Sequence, residues 1–390
     1  MVKRLSQMVV AALFVAVCAG AQQTETSVGT SPGSATRVGG IKVERVSPPK
    51  ATCESAGIAM GLETDGGLPE MEFWRQGLLC VRHSDGKTEA LRDGLPWGGG
   101  VVSAQGDVAY WIAEKGELHV FSPKANADTV MDTLPGANLR QMVWSLKGRT
   151  LVYFPAKADP AGIRVVNLDS GARNLLAGNF VGVAASPDPE YVATVEWAGV
   201  ERVRVADGRR EDMARVEFPA DAAYSRSGKW LGVEATPAAD PTLTANGNNA
   251  TVDDDSPDCT GGAFALTVFE TATKRVVGVP FPKGFDTVLD FEFSPDEGAV
   301  AVTYGVTGCD YPGDAARVFV VSLADLTMTP VSPENQLSVE AHWSPDGKKI
   351  VFLDYTGSDA GIVVADVMTG SLVRITNPGP NGPDKWVAWR

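Results

Sequence analysis

The sequence predicts an all-β chain folded as a β-propeller of seven four-stranded blades, with a split closing blade. Three observations carry that prediction. One short pattern recurs at Ser103, Ser145, Ser186, Ser225, Ser294 and Ser344, at spacings of 42, 41, 39, 69 and 50 residues. Each copy supplies the turn and strand signals of an antiparallel unit of about 40 residues. No long stretch of helical apolar periodicity interrupts them.

The unit is clearest in "AHWSPDGKKIVF", Ala341–Phe352, and "FEFSPDEGAVAV", Phe291–Val302. An apolar strand ends at the serine. Proline then presets φ, aspartate bonds the local backbone and glycine takes positive φ. A β-branched or aromatic second strand follows, such as "TLVYF" or "KIVFL". A third strand such as "GIVVADVM" and a fourth such as "SLVRIT" complete the unit.

These residues resemble the WD40-like (PD40) repeats of TolB-like propellers. The resemblance rests on Ser294-Pro295-Asp296 and Ser344-Pro345-Asp346-Gly347, with weaker copies at Ser145, Ser186 and Ser225, over roughly residues 95–376. It implies the fold and almost nothing about chemistry, because its residues build turns. TolB-like proteins carry an α/β domain ahead of the propeller. Residues 22–50 leave no room for one, so a full TolB role is not implied.

Six blades start at Ser103 through Ser344, and the fragments at the two ends predict the seventh. Ala56–Glu63, Gly77–Ser84 and Lys87–Asp93 read as its second, third and fourth strands. Lys385–Arg390 reads as its first, since "VAWR" aligns with "AHWS". Such a split blade closes the ring and removes open edges. The alternative is six blades plus an N-terminal strand pair that uses Ile41–Val46.

Ahead of the propeller (51–390), residues 1–21 have the form of a secretory signal peptide. Lys3 and Arg4 precede an apolar run from Met8 to Val17, and Ala19-Gly20-Ala21 offers the cleavage site. The run is too short to span a bilayer as a mature helix. The alternative is a lipoprotein anchored through Cys18, although Val17 is large for that position. Residues 22–50 form a flexible tether. These features predict a periplasmic or secreted protein that does not span the membrane.

The net charge is −14, and loss of Lys3 and Arg4 takes it to −16. No basic patch offsets it, which excludes nucleic acid as an expected partner. Cys53, Cys80, Cys259 and Cys309 remain after cleavage, and four cysteines in an exported chain allow three pairings. The loops help to choose between them. Thr236–Gly261 and Gly305–Asp314 both follow second strands of adjacent blades, and each holds one cysteine. We therefore expect a Cys259–Cys309 bridge, with Cys53 and Cys80 as the remaining pair.

In a propeller the first strands line the central channel. The loops before first strands and those after second strands share one face, here termed the inlet face; the Ser-Pro-Asp-Gly turns lie on the other. Four residues before each serine stand Gly99, Gln141, Gly182, Asp221, Asp290 and Glu340. Two before it stand Val101, Val143, Ala184, Ala223, Glu292 and His342. Three adjacent blades thus bring Asp221, Asp290, Glu292, Glu340 and His342 to the channel entrance, and the far side is mostly small or apolar. Such a cluster can bind a cation or supply an acid and a base. The plainer reading is solvated carboxylates, or carboxylates bonded to axial amides.

Other signals are weaker. The G-x-S-x-G match at Gly29–Gly33 lacks the strand–turn–helix setting of a nucleophile elbow. His83, His119 and His342 give no metal-ligand spacing, so neither a metal nor another cofactor is expected. Asp253, Asp254, Asp255 and Asp258 offer oxygens to Ca²⁺ without EF-hand spacing. The sequence therefore points to an exported, non-catalytic propeller that binds a protein or another ligand on its inlet face. The alternative is a glycan-directed hydrolase or lyase with Asp290, Glu292, Glu340 and His342 as its catalytic groups.

Overall fold

The computed structural model describes residues 42–45, 71–75, 78–82, 87–92, 100–158, 160–178, 180–216, 219–236, 264–306, 316–334, 336–355, 361–375 and 386–389. They form seven antiparallel sheets, each built on four consecutive strands of a blade. Blade 1 comprises Gly100–Val102, Val108–Ile112, Glu117–Ser122 and Ala127–Thr133; blade 2, Asn138–Trp144, Thr150–Ala156, Ile163–Asn167 and Arg173–Leu176. Blade 3 comprises Gly182–Ala184, Tyr191–Glu196, Gly199–Arg204 and Arg210–Arg215; blade 4, Pro219–Tyr224, Trp230–Ala235, Ala265–Glu270 and Val276–Gly278. Blade 5 runs through Thr287–Phe293, Ala299–Gly305, Arg317–Ser322 and Met328–Pro330; blade 6 through Ser338–Trp343, Lys349–Asp354, Gly361–Asp366 and Leu372–Arg374.

Blade 7 is the split blade: Trp386–Trp389 pairs with Met71–Arg75, which pairs with Leu78–Arg82 and so with Thr88–Arg92. Its second strand is therefore Met71–Arg75 and not Ala56–Glu63, which lies outside the described residues. The physical reason is local. Met-Glu-Phe-Trp-Arg carries the aromatic residues that favour a strand, and only Gln76-Gly77 separates it from the third strand, the spacing of a tight hairpin. Lys42–Arg45, from the stretch considered for a six-blade ring, instead adds a fifth strand to blade 1, antiparallel to Ala127–Thr133.

The recurring serine is a buried turn clamp. Ser344 Oγ donates to Asp346 Oδ1 at 2.7 Å and accepts the Lys349 amide at 2.9 Å, while Asp346 Oδ1 also accepts the Lys348 amide at 3.1 Å. Gly347 completes the turn at φ +70°. Ser294 and Asp296 repeat these bonds to Ala299 and Gly298. The serine hydroxyl, donating to each carboxylate, holds Asp296 and Asp346 below the usual aspartate range. All six serines are buried, so the repeat is written by the need to satisfy polar groups at a dry turn.

The aromatic residue before the serine reaches the previous blade. Trp144 Nε1 donates to Val101 O at 2.9 Å, and Trp343 Nε1 to Glu292 O at 3.1 Å. Seven apolar clusters fill the interfaces between successive blades, including one around Cys80 between blades 6 and 7 and one around Leu79 and Tyr110 between blades 7 and 1. Cys80 is fully buried and disulfide-bonded.

Deleting residues 385–390 should open the ring by removing the inner strand of blade 7. The expected result is a fall in the thermal midpoint of more than about 5 °C, since each kcal/mol moves a domain of this size by about 1–2 °C and losing an inner strand costs several kcal/mol. An unchanged midpoint by calorimetry would refute this closure.

Candidate functional site

The channel residues are aimed by irregularities in the first strands. Register shifts interrupt first-to-second strand pairing beside Gln141, Asp221 and Asp290, and between Val339 and His342. A bulge inserts a residue and re-aims the side chains next to it. Glu340 lies inside the last of these, at φ +56°. Among the described non-glycine residues with positive φ, it is the one inside a strand; the others stand at turns or strand ends. A bulky residue held there costs about 1–2 kcal/mol, a strain that the surrounding sheet must sustain.

Blades 4, 5 and 6 bring all five sequence-predicted residues into one electrostatic group. His342 Nδ1 and Glu292 Oε2 lie 2.9 Å apart. Burial pulls the imidazole down, but the Glu292 hydrogen bond and the charges of Glu292, Asp290 and Glu340 outweigh it and lift the group to about 9. The side chain is nevertheless 36% exposed. Dense protein around a group that water still reaches is the expected setting of a side chain in an open axial channel.

Asp221 behaves differently. Burial pushes its carboxyl up; the Ala222 amide hydrogen bond opposes this, Asp290 adds to it, and the net result is about 6. Gln141 holds the same oxygen. Its Nε2 donates to Asp221 Oδ1 at 3.0 Å, while its Oε1 accepts the Val183 amide at 2.7 Å. Gln141 therefore crosses from blade 2, over blade 3, to blade 4. It can do so because the intervening residue is glycine: a Cβ on Gly182 would stand 2.8 Å from Gln141 Oε1.

The arrangement sets the carboxyl groups of Asp290, Glu292 and Glu340 around one imidazolium, with Asp221 beside Asp290. It can hold a cation by charge, and Asp221 can give up or take a proton near pH 6. No group of three or more potential metal ligands is assembled among the described residues. Gln141 was not among the residues that the sequence pointed to, although it shares an aligned position with Asp221 and stands next to a glycine in the series. Cys53, Cys259, Cys309, His83 and the Asp253–Asp258 cluster lie outside the described residues.

No protein-family model matches the chain, and no curated protein matches it. Among solved structures it is similar to a protein assigned as a 6-phosphogluconolactonase from Bacteroides uniformis, at 13% identity over 83% of this chain and 99% of that one, with a TM-score of 0.52. It is similar to an oligogalacturonate lyase from Vibrio parahaemolyticus at 12% identity, over 80% of this chain and 87% of that one, with a TM-score of 0.51. TolB from Acinetobacter baumannii matches over 71% of each chain at 14% identity, with a TM-score of 0.38. These likenesses show the propeller fold alone, consistent with the TolB-like repeat, and the TolB superposition is too loose to carry more.

The two raised groups predict how stability depends on pH. A carboxyl whose folded value lies above its unfolded one, about 3.9, binds protons more tightly in the fold. The contribution of Asp221 is thus complete below about pH 4 and lost as pH rises through about 6. That of His342 is complete below about 6.5 and lost as pH rises through about 9. Thermal midpoints should fall across both windows. Asp221→Asn should flatten the acidic decline, and His342→Gln the alkaline one; if both variants kept the wild-type profile, these assignments would be wrong.

Proposed function

We propose that this chain is an exported, non-catalytic propeller whose channel mouth binds a cationic group presented by a partner protein. One observation carries the reading: Asp290, Glu292 and Glu340, from two neighbouring blades, act on a single imidazolium, and Asp221 of the next blade stands beside Asp290. Glu292 meets His342 at 2.9 Å, and the charges of Asp290 and Glu340 act on the same ring. A lysine, an arginine or an N-terminal amine complements that field. Trp197, 47% exposed, follows the second strand of blade 3 on the same face. An exposed tryptophan is a common anchor for a protein partner. The signal-peptide pattern of residues 1–21 supports export, and the described residues include no helix long and apolar enough to cross a membrane.

A second reading, a hydrolase or lyase acting on glycans, is favoured by one feature. Asp221 titrates near 6 beside Asp290, and carboxyl groups with separated pKa values are a means of acid–base catalysis. Cleavage of an oligosaccharide that depends on Asp221 and Asp290 would select it.

Titration calorimetry with lysine- and arginine-bearing peptides tests the first reading. Binding should weaken as salt rises. The double variant Glu292→Gln, Glu340→Gln should bind about tenfold more weakly, the equivalent of about 1.4 kcal/mol. Unchanged affinity would contradict the proposal. Glu340→Gly separates function from folding, because it should raise the thermal midpoint by relieving backbone strain while it weakens the peptide complex. Loss of both would mean that Glu340 serves the fold.

The pairings Cys259–Cys309 and Cys53–Cys80 belong to the same proposal. The first would fasten Thr236–Gly261 beside the channel mouth. Peptide mapping without reduction should recover both cross-links. Free thiols at Cys259 and Cys309 would contradict the first pairing.

A further inference from the structure

Blades 1 and 2 meet at a buried polar cluster on their outer strands, away from the channel. Tyr153 donates to Asp132 Oδ2 at 2.5 Å. Arg164 is only 3% exposed and Arg173 only 6%. Arg164 Nη2 donates to Pro160 O at 3.3 Å, and its Nε is 3.8 Å from Asp132 Oδ2, too far for a hydrogen bond. Among the described residues, Arg164 Nε and Nη1 have no acceptor. A guanidinium cannot relieve this by losing its charge, and buried donors without acceptors are uncommon in native proteins.

The same interface holds a small, partly open cavity of about 10 Å³, lined by Asp132, Tyr153, Arg164, Arg173 and Asn174 together with Val165 and Val166. That is room for one water-sized particle. A neighbouring cluster shows what is missing. Tyr110 pairs across its sheet with His119, as Tyr153 does with Arg164. Tyr110 donates to Asp128 as Tyr153 does to Asp132. There, the far nitrogen of His119 meets Glu117, two residues earlier in the strand, at 3.2 Å. Two residues before Arg164 the chain has Gly162. The place of the second carboxylate is empty of side chain, and the cation beside it has donors to spare.

We propose that this cavity binds a monatomic monovalent anion, chloride or another halide, on the Nε and Nη1 of Arg164 with Arg173 alongside. The lining favours an acceptor that carries negative charge. Room for about one water-sized particle favours a monatomic ion over phosphate, sulfate or a carboxylate. The site is independent of the channel reading and would serve to lock blade 2 to blade 1.

Bromide is the probe. Crystals of the full chain soaked in sodium bromide should show an anomalous peak in the cavity, within contact of Arg164. In solution, sodium bromide should raise the thermal midpoint above that in sodium gluconate at equal ionic strength. The expected rise is roughly 2 °C or more at about ten times the dissociation constant. Arg164→Gln should abolish the difference between the salts. If that variant does not fold, the two wild-type measurements decide. A cavity that holds water alone, or equal midpoints in the two salts, overturns the proposal, as does a bromide effect that survives in Arg164→Gln.

Discussion

Ring closure is the constraint on which the rest of the structure depends. Each blade presents an apolar face on either side, and neither face can be buried except by the next blade. The clusters between blades 6 and 7 and between blades 7 and 1 bury the two faces of the blade that Trp386–Trp389 completes by pairing with Met71–Arg75. That antiparallel pairing ties residues more than 300 positions apart, from the two ends of the chain. It also fixes the azimuth of every first strand, and so determines which side chains can meet across the axis. Asp221, Asp290 and His342 come from three blades and would be unrelated in an open sheet array.

Contacts between blades then refine the placement. The indole of Trp343 holds the carbonyl of Glu292, the residue whose carboxylate meets His342. One first strand is thereby registered against its neighbour at the point where the charged groups pair. On the opposite face the turns interlock: Ser227 donates to Glu297, a Cβ on Gly228 would meet Pro187, and Gly347 lies against Pro295. Rigidity at the turns permits irregularity at the channel. Bulges beside Asp221 and Asp290 and around Glu340 are tolerated because the remaining ladders of those blades are regular.

The parts legible in the sequence are those set by local chemistry. The buried Ser-x-Asp turn has a short signature because its hydrogen bonds lie within five residues, so the blade count could be read from its spacing. The expectation for the axial residues rests on a related count: stepping back from the serine indicates which side of the first strand would face the channel. The second strand of blade 7 was misread, since the repeat offers no serine turn within the chain to index it. Gln141 was overlooked because its role depends on Gly182 and Asp221, 41 and 80 residues away. Nothing local to Glu340 announces its left-handed backbone, which depends on a bulge in the pairing of its strand with the next. The spare donors of Arg164 are likewise a property of two blades together.

The central claim is that closure gathers the carboxylates of blades 5 and 6 around His342. Nitrogen-detected NMR of the His342 imidazole as a function of pH tests it most directly, because the shift of one ring reports its surrounding charges. The account predicts an imidazolium that persists above neutrality and titrates near pH 9. A titration at or below about 6.5, the value of a free histidine, would mean that the carboxylates do not converge and that the channel site as described does not exist.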